Sequence, residues 1–143
     1  MTIYVVTGPP CGGKTTHVDE HAGDLDVVVD LDRIAWAIGY PGEQIDWSEE
    51  TPHPSRVAAM IARASLVKAT LDGKFNAPAV WIVDTQVSPV AQARYTQRGA
   101  SFITVDPGPD ECHRRATEDE RPEATHAQID RWYGDIGTTS NDW

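Results

Sequence analysis

The stretch "TIYVVTGPPCGGKTT", residues 2–16, decides how the rest of the chain is read. Its first half holds an apolar run, Ile3 to Val6, of the kind that forms a buried strand. Its second half crowds two prolines, three glycines, a lysine and two threonines into the place where that strand should end. Gly8, Gly13, Lys14 and Thr15 match the pattern G-x-x-x-x-G-K-[ST] of a phosphate-binding loop. Each residue type has a reason to be there. Glycines let the backbone curl so that several N–H groups converge on phosphate oxygens. A helix starting near Lys14 aims its positive end at the same point. Lys14 would reach the β- and γ-phosphates, and the Thr15 hydroxyl would ligate Mg2+. Gly8, Pro10, Cys11, Gly12, Gly13, Lys14, Thr15 and Thr16 are therefore the expected cradle for ATP or another nucleoside triphosphate.

Outward from the loop, strands and helices alternate. "DVVVD" (Asp26 to Asp30), "AVWIVD" (Ala79 to Asp84) and "SFITV" (Ser101 to Val105) read as three further short buried strands. Between them lie a helix after Asp30 and an irregular excursion from Gly39 to Pro54. A helix over Ser55 to Leu71 follows, with Val57, Met60, Ile61, Ala64, Val67 and Leu71 spaced as one buried face. Ser88 then reads as the N-cap of a helix, with Pro89 at its first position and Gly99 as its terminator. Two more helices split near "ERP", the second ending at Gly134. This alternation predicts an α/β protein of the P-loop NTPase fold. A small parallel sheet of about four strands carries helices on both faces, with a helical lid. Residues 1–134 are expected to form a single domain and 135–143 a tail of uncertain order.

Composition sets bounds on function. The chain has 143 residues and a formal net charge of −10, which argues against passive binding along a nucleic-acid backbone. A local basic groove remains compatible with it. Cys11 and Cys112, far apart and without metal-ligand spacing, fit free thiols in a reducing cytoplasm, with no disulfide partner expected. No run approaches a membrane span, and the N-terminus lacks the basic region of a signal peptide. A cytoplasmic protein without a membrane partner is the expectation.

A phosphate-binding loop of this type needs a carboxylate at the end of a neighbouring strand, and Asp84 is the candidate beside Thr15 for the metal. Thr85 stands where many ATPases carry a water-activating glutamate, so transfer to a substrate hydroxyl is favoured over hydrolysis. Such a kinase needs a group to accept the hydroxyl proton. Asp32, beyond the second strand, is the choice for base, with N-cap of the next helix as its structural alternative and Asp30 as the second candidate. Arg114, Arg115 and Arg121 in "ECHRRATEDERPE" are candidates for a lid that neutralises the transferring phosphoryl group, though alternating charge also suits a solvated helix.

With these residues in place, the chain resembles the P-loop kinase domain of phage polynucleotide 5′-kinase, from Met1 to about Tyr133. "TGPPCGGKTT" looks like that family's loop, with Pro10 included. "VDLDRI" falls at its Asp-containing motif, so the resemblance implies Asp32 as general base. "WIVDTQVSP" resembles its Asp-Thr motif and implies Asp84 as the metal-site carboxylate. "ECHRRATEDERPE" resembles its lid, with Arg115 matching the arginine that contacts donor phosphates. Where the family holds an acceptor-binding arginine three residues after the base, this sequence has Ala35. Arg33 is the possible substitute, and hydroxymethylated bases in phage DNA are an alternative acceptor to a 5′-hydroxyl end. Beyond Asp32, Trp36, Tyr40 and Trp47 could stack on a base. Arg56 and Arg63 could touch acceptor phosphates. His17 and His21 read as surface residues. Three readings stay open: a kinase acting on a nucleic acid or nucleotide, a kinase for a free nucleoside or small metabolite, and an ATPase without an acceptor.

Overall fold

The structure is a computed structural model that describes residues 1–48 and 50–142, with side-chain surroundings as far as Gly134. Four strands, β1 (Thr2–Thr7), β2 (Val27–Val29), β3 (Ala79–Asp84) and β4 (Ser101–Thr104), form one parallel sheet in the order β2-β3-β1-β4. Six helices connect and flank them: α1 (Lys14–His21), α2 (Leu31–Ala37), α3 (Pro54–Leu71), α4 (Pro89–Gln97), α5 (Pro109–Glu118) and α6 (Glu123–Asp142). The expected α/β fold with a four-stranded parallel sheet is what forms.

Strand alternation divides the core between the two faces of the sheet. Ile3, Val5, Val80 and Ile82 share one face and pack with Val29, Leu71 and Tyr95. Val6, Trp81 and Val83 share the other and pack with Val18 of α1. Trp81 stacks on Tyr4 at 4.2 Å between ring centroids, and its indole N–H donates to Asp26 at 2.9 Å, so the large ring is buried without an orphaned donor. The register sets Thr7 of β1 level with Asp84 of β3 and Thr104 of β4. The carboxyl ends of the strands thus open together on one edge, where ligands collect in sheets of this kind.

Local signals fix the helix starts. The Asp30 carboxylate accepts from the Asp32 backbone N–H at 3.0 Å and caps α2. Ser88 caps α4 by accepting from Ala91 N–H at 3.2 Å, Pro89 leads that helix, and Gly99 follows it at φ +70°. The Ser88, Pro89 and Gly99 assignments match the sequence reading, whereas the cap of α2 is Asp30 and not Asp32, for which capping is the expected alternative role.

Two expectations need correction. The apolar face expected of α3 is only partly a core face. Val67 is half-buried and Leu71 buried, whereas Val57, Met60, Ile61 and Ala64 are exposed and the N-terminal half buries Ser55, Arg56 and Ala59 instead. Periodicity identified the helix but not its rotation, because Arg56 turns inward beneath Trp47. In addition, α6 does not end at Gly134 but runs on to Asp142, through most of the segment expected as a tail of uncertain order. An isolated glycine costs a helix about 1 kcal/mol relative to alanine, too little to stop it. Trp143 lies outside the described residues.

Candidate active site

The loop between β1 and α1 is built from backbone that ordinary residues rarely adopt. Gly13 sits at φ +92° as the N-cap of α1, and Cys11, with a side chain, is held at φ +60°. A non-glycine residue there costs of order 1–2 kcal/mol, so the surroundings must impose the curl. Gly8 is required for a different reason: a Cβ on it would lie 2.3 Å from the Val105 carbonyl oxygen at the end of β4. Lys14 folds back over the loop, its Nζ donating to the carbonyls of Gly8 and Pro9 at 2.8 Å each. Burial pulls its pKa below the ordinary lysine value, opposed by Asp30, Cys11, Asp32 and Asp84. Asp30, Asp32 and Asp84 act on this ammonium through charge, while its hydrogen bonds go to the loop's backbone carbonyls.

Around the loop runs an open cleft of about 1390 Å³, bounded by α2, the 39–53 excursion, α3, the β3 end and the α5–α6 turn. Asp32 faces it. The Trp47 indole N–H donates to Asp32 Oδ1 at 2.9 Å. Burial pushes the Asp32 carboxyl above the usual carboxylate range and outweighs the opposing pull of Trp47, Arg121 and Lys14. Asp30, 6 % exposed, is the carboxylate that meets Thr15, whose Oγ1 donates to Asp30 Oδ2 at 3.1 Å. Asp84 lines the cleft too, but its partner is Arg63 at 3.3 Å. Thr15 and Asp84, the two expected metal ligands, both line the cleft, and the direct hydrogen bond of Thr15 goes to Asp30. Oxygen donors at Thr15, Asp30 and Asp84 suit a hard cation such as Mg2+, which takes one or two protein oxygens beside phosphate oxygens. Among the described residues no cluster of three or more His, Cys, Asp or Glu is arranged to hold a metal by itself.

The three lid arginines divide sharply. Arg115 lies over the loop, donating from Nη1 to the Cys11 carbonyl at 3.3 Å and from Nε to Glu111 at 3.0 Å. Arg121 lines the cleft, and its charge acts on both the Cys11 thiol and the Asp32 carboxylate. Its Nε is buried without a hydrogen-bond partner. Arg114 is the correction. It turns away from the cleft and is clasped by Glu111 at 2.9 and 2.6 Å and Glu118 at 2.8 Å. Hydrogen bonds from Arg114, then Arg115, hold the Glu111 carboxyl down to about 2. Helical phase decides this: Cys112 and Ala116 are buried, which sends Arg115 to the loop side and Arg114 to solvent.

On the acceptor side three residues also fall elsewhere than expected. Arg33 pairs with Asp19 of α1 and stands 3.9 Å from Asp30, outside the cleft. Trp36 is 41 % exposed on the outer side of α2 and does not line it. Arg56 is buried behind the cleft wall, donating to the Trp47 carbonyl with its guanidinium 5.3 Å from the Trp47 ring centre. Trp47 occupies the place expected for Trp36. Sequence reasoning gave no role to Met60 and Ala64 as cleft wall, or to Trp132, which is buried and donates to the Thr85 carbonyl at 2.7 Å. An apolar helix face beside an acidic loop was the available signal for the former; nothing local signals the latter. The two cysteines are free thiols, Cys11 packing against the lid cluster of Cys112, Ala116 and Ile129. His17 and His21 stack at 4.2 Å. Among the described residues no helix is long and apolar enough to cross a membrane.

No protein-family profile matches the chain, and no curated protein matches it. Among solved structures it is similar to the tunicamycin resistance protein of Deinococcus radiodurans, with 19% identity over 90% of this chain and 78% of that one and a TM-score of 0.44.

Proposed function

We propose that the chain is a kinase that moves the γ-phosphoryl group of ATP, or another nucleoside triphosphate, onto an alcohol. The observation that carries this reading is Arg121. Its guanidinium lines the same cleft as the loop and Asp32, with a buried Nε that has no hydrogen-bond partner among the described residues, and its charge favours the ionised forms of Cys11 and Asp32. A cation at that position suits charge building on a phosphoryl group in flight from the loop to a nucleophile at Asp32.

In this mechanism the loop N–H groups and Lys14 hold the β- and γ-phosphates, and Arg115 covers the loop from the lid side. Thr15, Asp30 and Asp84, which line the cleft beside the loop, would be the oxygen donors for a bound Mg2+. A bound Mg2+ would neutralise phosphate charge there. The acceptor hydroxyl hydrogen-bonds to Asp32. As its oxygen bonds to the γ-phosphorus, the bond from that phosphorus to the β–γ bridging oxygen breaks. The hydroxyl proton passes to Asp32, and the nucleoside diphosphate leaves. The raised pKa of Asp32 suits it to receive that proton. Hydrolysis is the weaker reading, since position 85 offers a threonine whose carbonyl is engaged by Trp132 rather than a water-activating carboxylate.

The test is transfer of label from γ-labelled ATP to a mixed pool of alcohols, nucleosides and oligonucleotides. The expected result is label in an acceptor, with Asp32→Asn lowering transfer about 1,000-fold while nucleotide affinity stays near wild type. Label recovered only as inorganic phosphate, or full transfer by Asp32→Asn, contradicts the reading.

A further inference from the structure

We infer that the acceptor is a small, planar alcohol carrying no phosphate of its own, of the chemical class of a free nucleoside, rather than the end of a nucleic-acid strand. The inference rests on the kinase reading above and concerns the half of the cleft beyond Asp32.

Three features of that half converge. Its wall is apolar and aromatic: Trp47, Ile45, Met60 and Ala64 face the cleft together. The Arg56 guanidinium lies against the Trp47 ring, and the indole N–H of Trp47 donates to Asp32, so the indole is held as a rigid platform beside the base. Met60, 57 % exposed on a helix whose opposite side is buried, is left uncovered toward the same space. A flat ring system gains about 1–3 kcal/mol from stacking on such a platform. It would carry its hydroxyl to the Asp32 carboxylate.

The second feature is charge. Every Lys or Arg between residues 31 and 72 is committed: Arg33 to Asp19, Arg56 to Trp47, Arg63 to Asp84 and Lys68 to Asp72. The excursion itself carries Glu43, Asp46, Glu49 and Glu50 and no cation. A strand with several backbone phosphates needs uncommitted cations along its track, and the excursion's sequence supplies carboxylates instead. The third feature is closure. Gln44 Nε2 donates to the Asp119 carbonyl at 2.7 Å, joining the excursion to the lid across the cleft. That bridge leaves room for a small molecule beneath it and stands across the path of a polymer.

The test uses the full chain with γ-labelled ATP and Mg2+. It compares free nucleosides and aromatic alcohols with single-stranded and duplex oligonucleotides bearing the same nucleoside at a 5′-hydroxyl end. Expected is a kcat/KM for the best small acceptor at least tenfold above its oligonucleotide. Trp47→Ala should raise the acceptor KM about tenfold through lost stacking, with ATP affinity unchanged. Trp47→Phe, which keeps a ring but not the N–H, should hold the acceptor KM near wild type while lowering kcat, since the Asp32 carboxylate loses its orienting donor. Transfer to oligonucleotide ends as good as or better than to free nucleosides overturns the inference and leaves the kinase reading intact. Nucleotide hydrolysis without transfer to any acceptor overturns both. Trp47→Phe that raises the acceptor KM as much as Trp47→Ala removes the platform argument.

Discussion

The two halves of the cleft are assembled in different ways. On the donor side the loop's own contacts are short in sequence, Lys14 reaching Gly8 six residues back and Gly12 N–H bonding to the Pro9 carbonyl, while Thr15 reaches Asp30 across 15 residues and Arg115 reaches Cys11 across 104. On the acceptor side they are long. Trp47 reaches Asp32 across 15 residues, Arg63 reaches the Val83 carbonyl across 20, and Gln44 reaches Asp119 across 75. Backbone curl and a helix terminus form the loop locally, with Val105 and Arg115 adding support from distant elements. The acceptor half exists only once the sheet, α3 and the lid have packed. Substitutions should therefore separate cleanly, donor-side changes affecting nucleotide binding and acceptor-side changes affecting transfer.

The largest effect is expected at Lys14. Lys14→Ala removes the ammonium on which charges from both halves act, and should lower transfer about 1,000-fold and weaken nucleotide binding measurably by calorimetry. Normal nucleotide affinity in this variant would break the comparison at its stronger half.

Next come the lid arginines, where two neighbours in kind should differ greatly. Arg121→Ala should lower kcat about 100-fold or more, whereas Arg114→Ala, clasped by two glutamates away from the cleft, should stay within about twofold. Equal losses would mean that the lid acts through its fold and not through one guanidinium.

Asp30 bridges the halves. Its carboxylate caps α2 and accepts from Thr15, so Asp30→Ala should cost about 1 kcal/mol from the cap alone. A fall of a few degrees in Tm would accompany it. The concentration of Mg2+ needed for half-maximal transfer should rise, because Thr15 loses its oriented partner. A stability loss without any change in Mg2+ requirement would reduce Asp30 to a cap.

The smallest effect is thermodynamic. Asp32 has a folded-state pKa raised chiefly by burial, so the folded protein holds its proton at pH values where the unfolded chain has released it. Wild-type stability should therefore decline as pH rises through the window from the unfolded to the folded pKa. Asp32→Asn should melt higher than wild type near neutral pH, with the gap narrowing in acid. A gap that is constant with pH would mean that the carboxylate is not desolvated.

This division also explains what the sequence made legible. The loop was readable because its chemistry is carried by consecutive residues: Gly8 for a close approach, Gly13 for a positive φ, Lys14 and Thr15 for phosphate and metal. Strand alternation and the Ser88–Pro89 start were readable for the same local reason. The misplacements of Arg33, Trp36, Arg56 and Arg114 share a cause. Each is the right residue type on the right element, but its helix is rotated by packing that single-chain periodicity does not fix. Met60 and Ala64 fit a core stripe by spacing yet form the wall of a cleft, since an apolar face records what is covered without saying whether core or ligand covers it.

The most direct measurement is a crystal structure of the chain with Mg2+ and a non-hydrolysable ATP analogue. The account predicts that the analogue's phosphates lie in the curl from Gly8 to Thr15. Arg121 should move onto the γ-phosphate, and the γ-phosphorus should face the Asp32 carboxylate across a gap wide enough for one alcohol oxygen. A γ-phosphate turned away from Asp32, or an Arg121 that stays off the nucleotide, would contradict it.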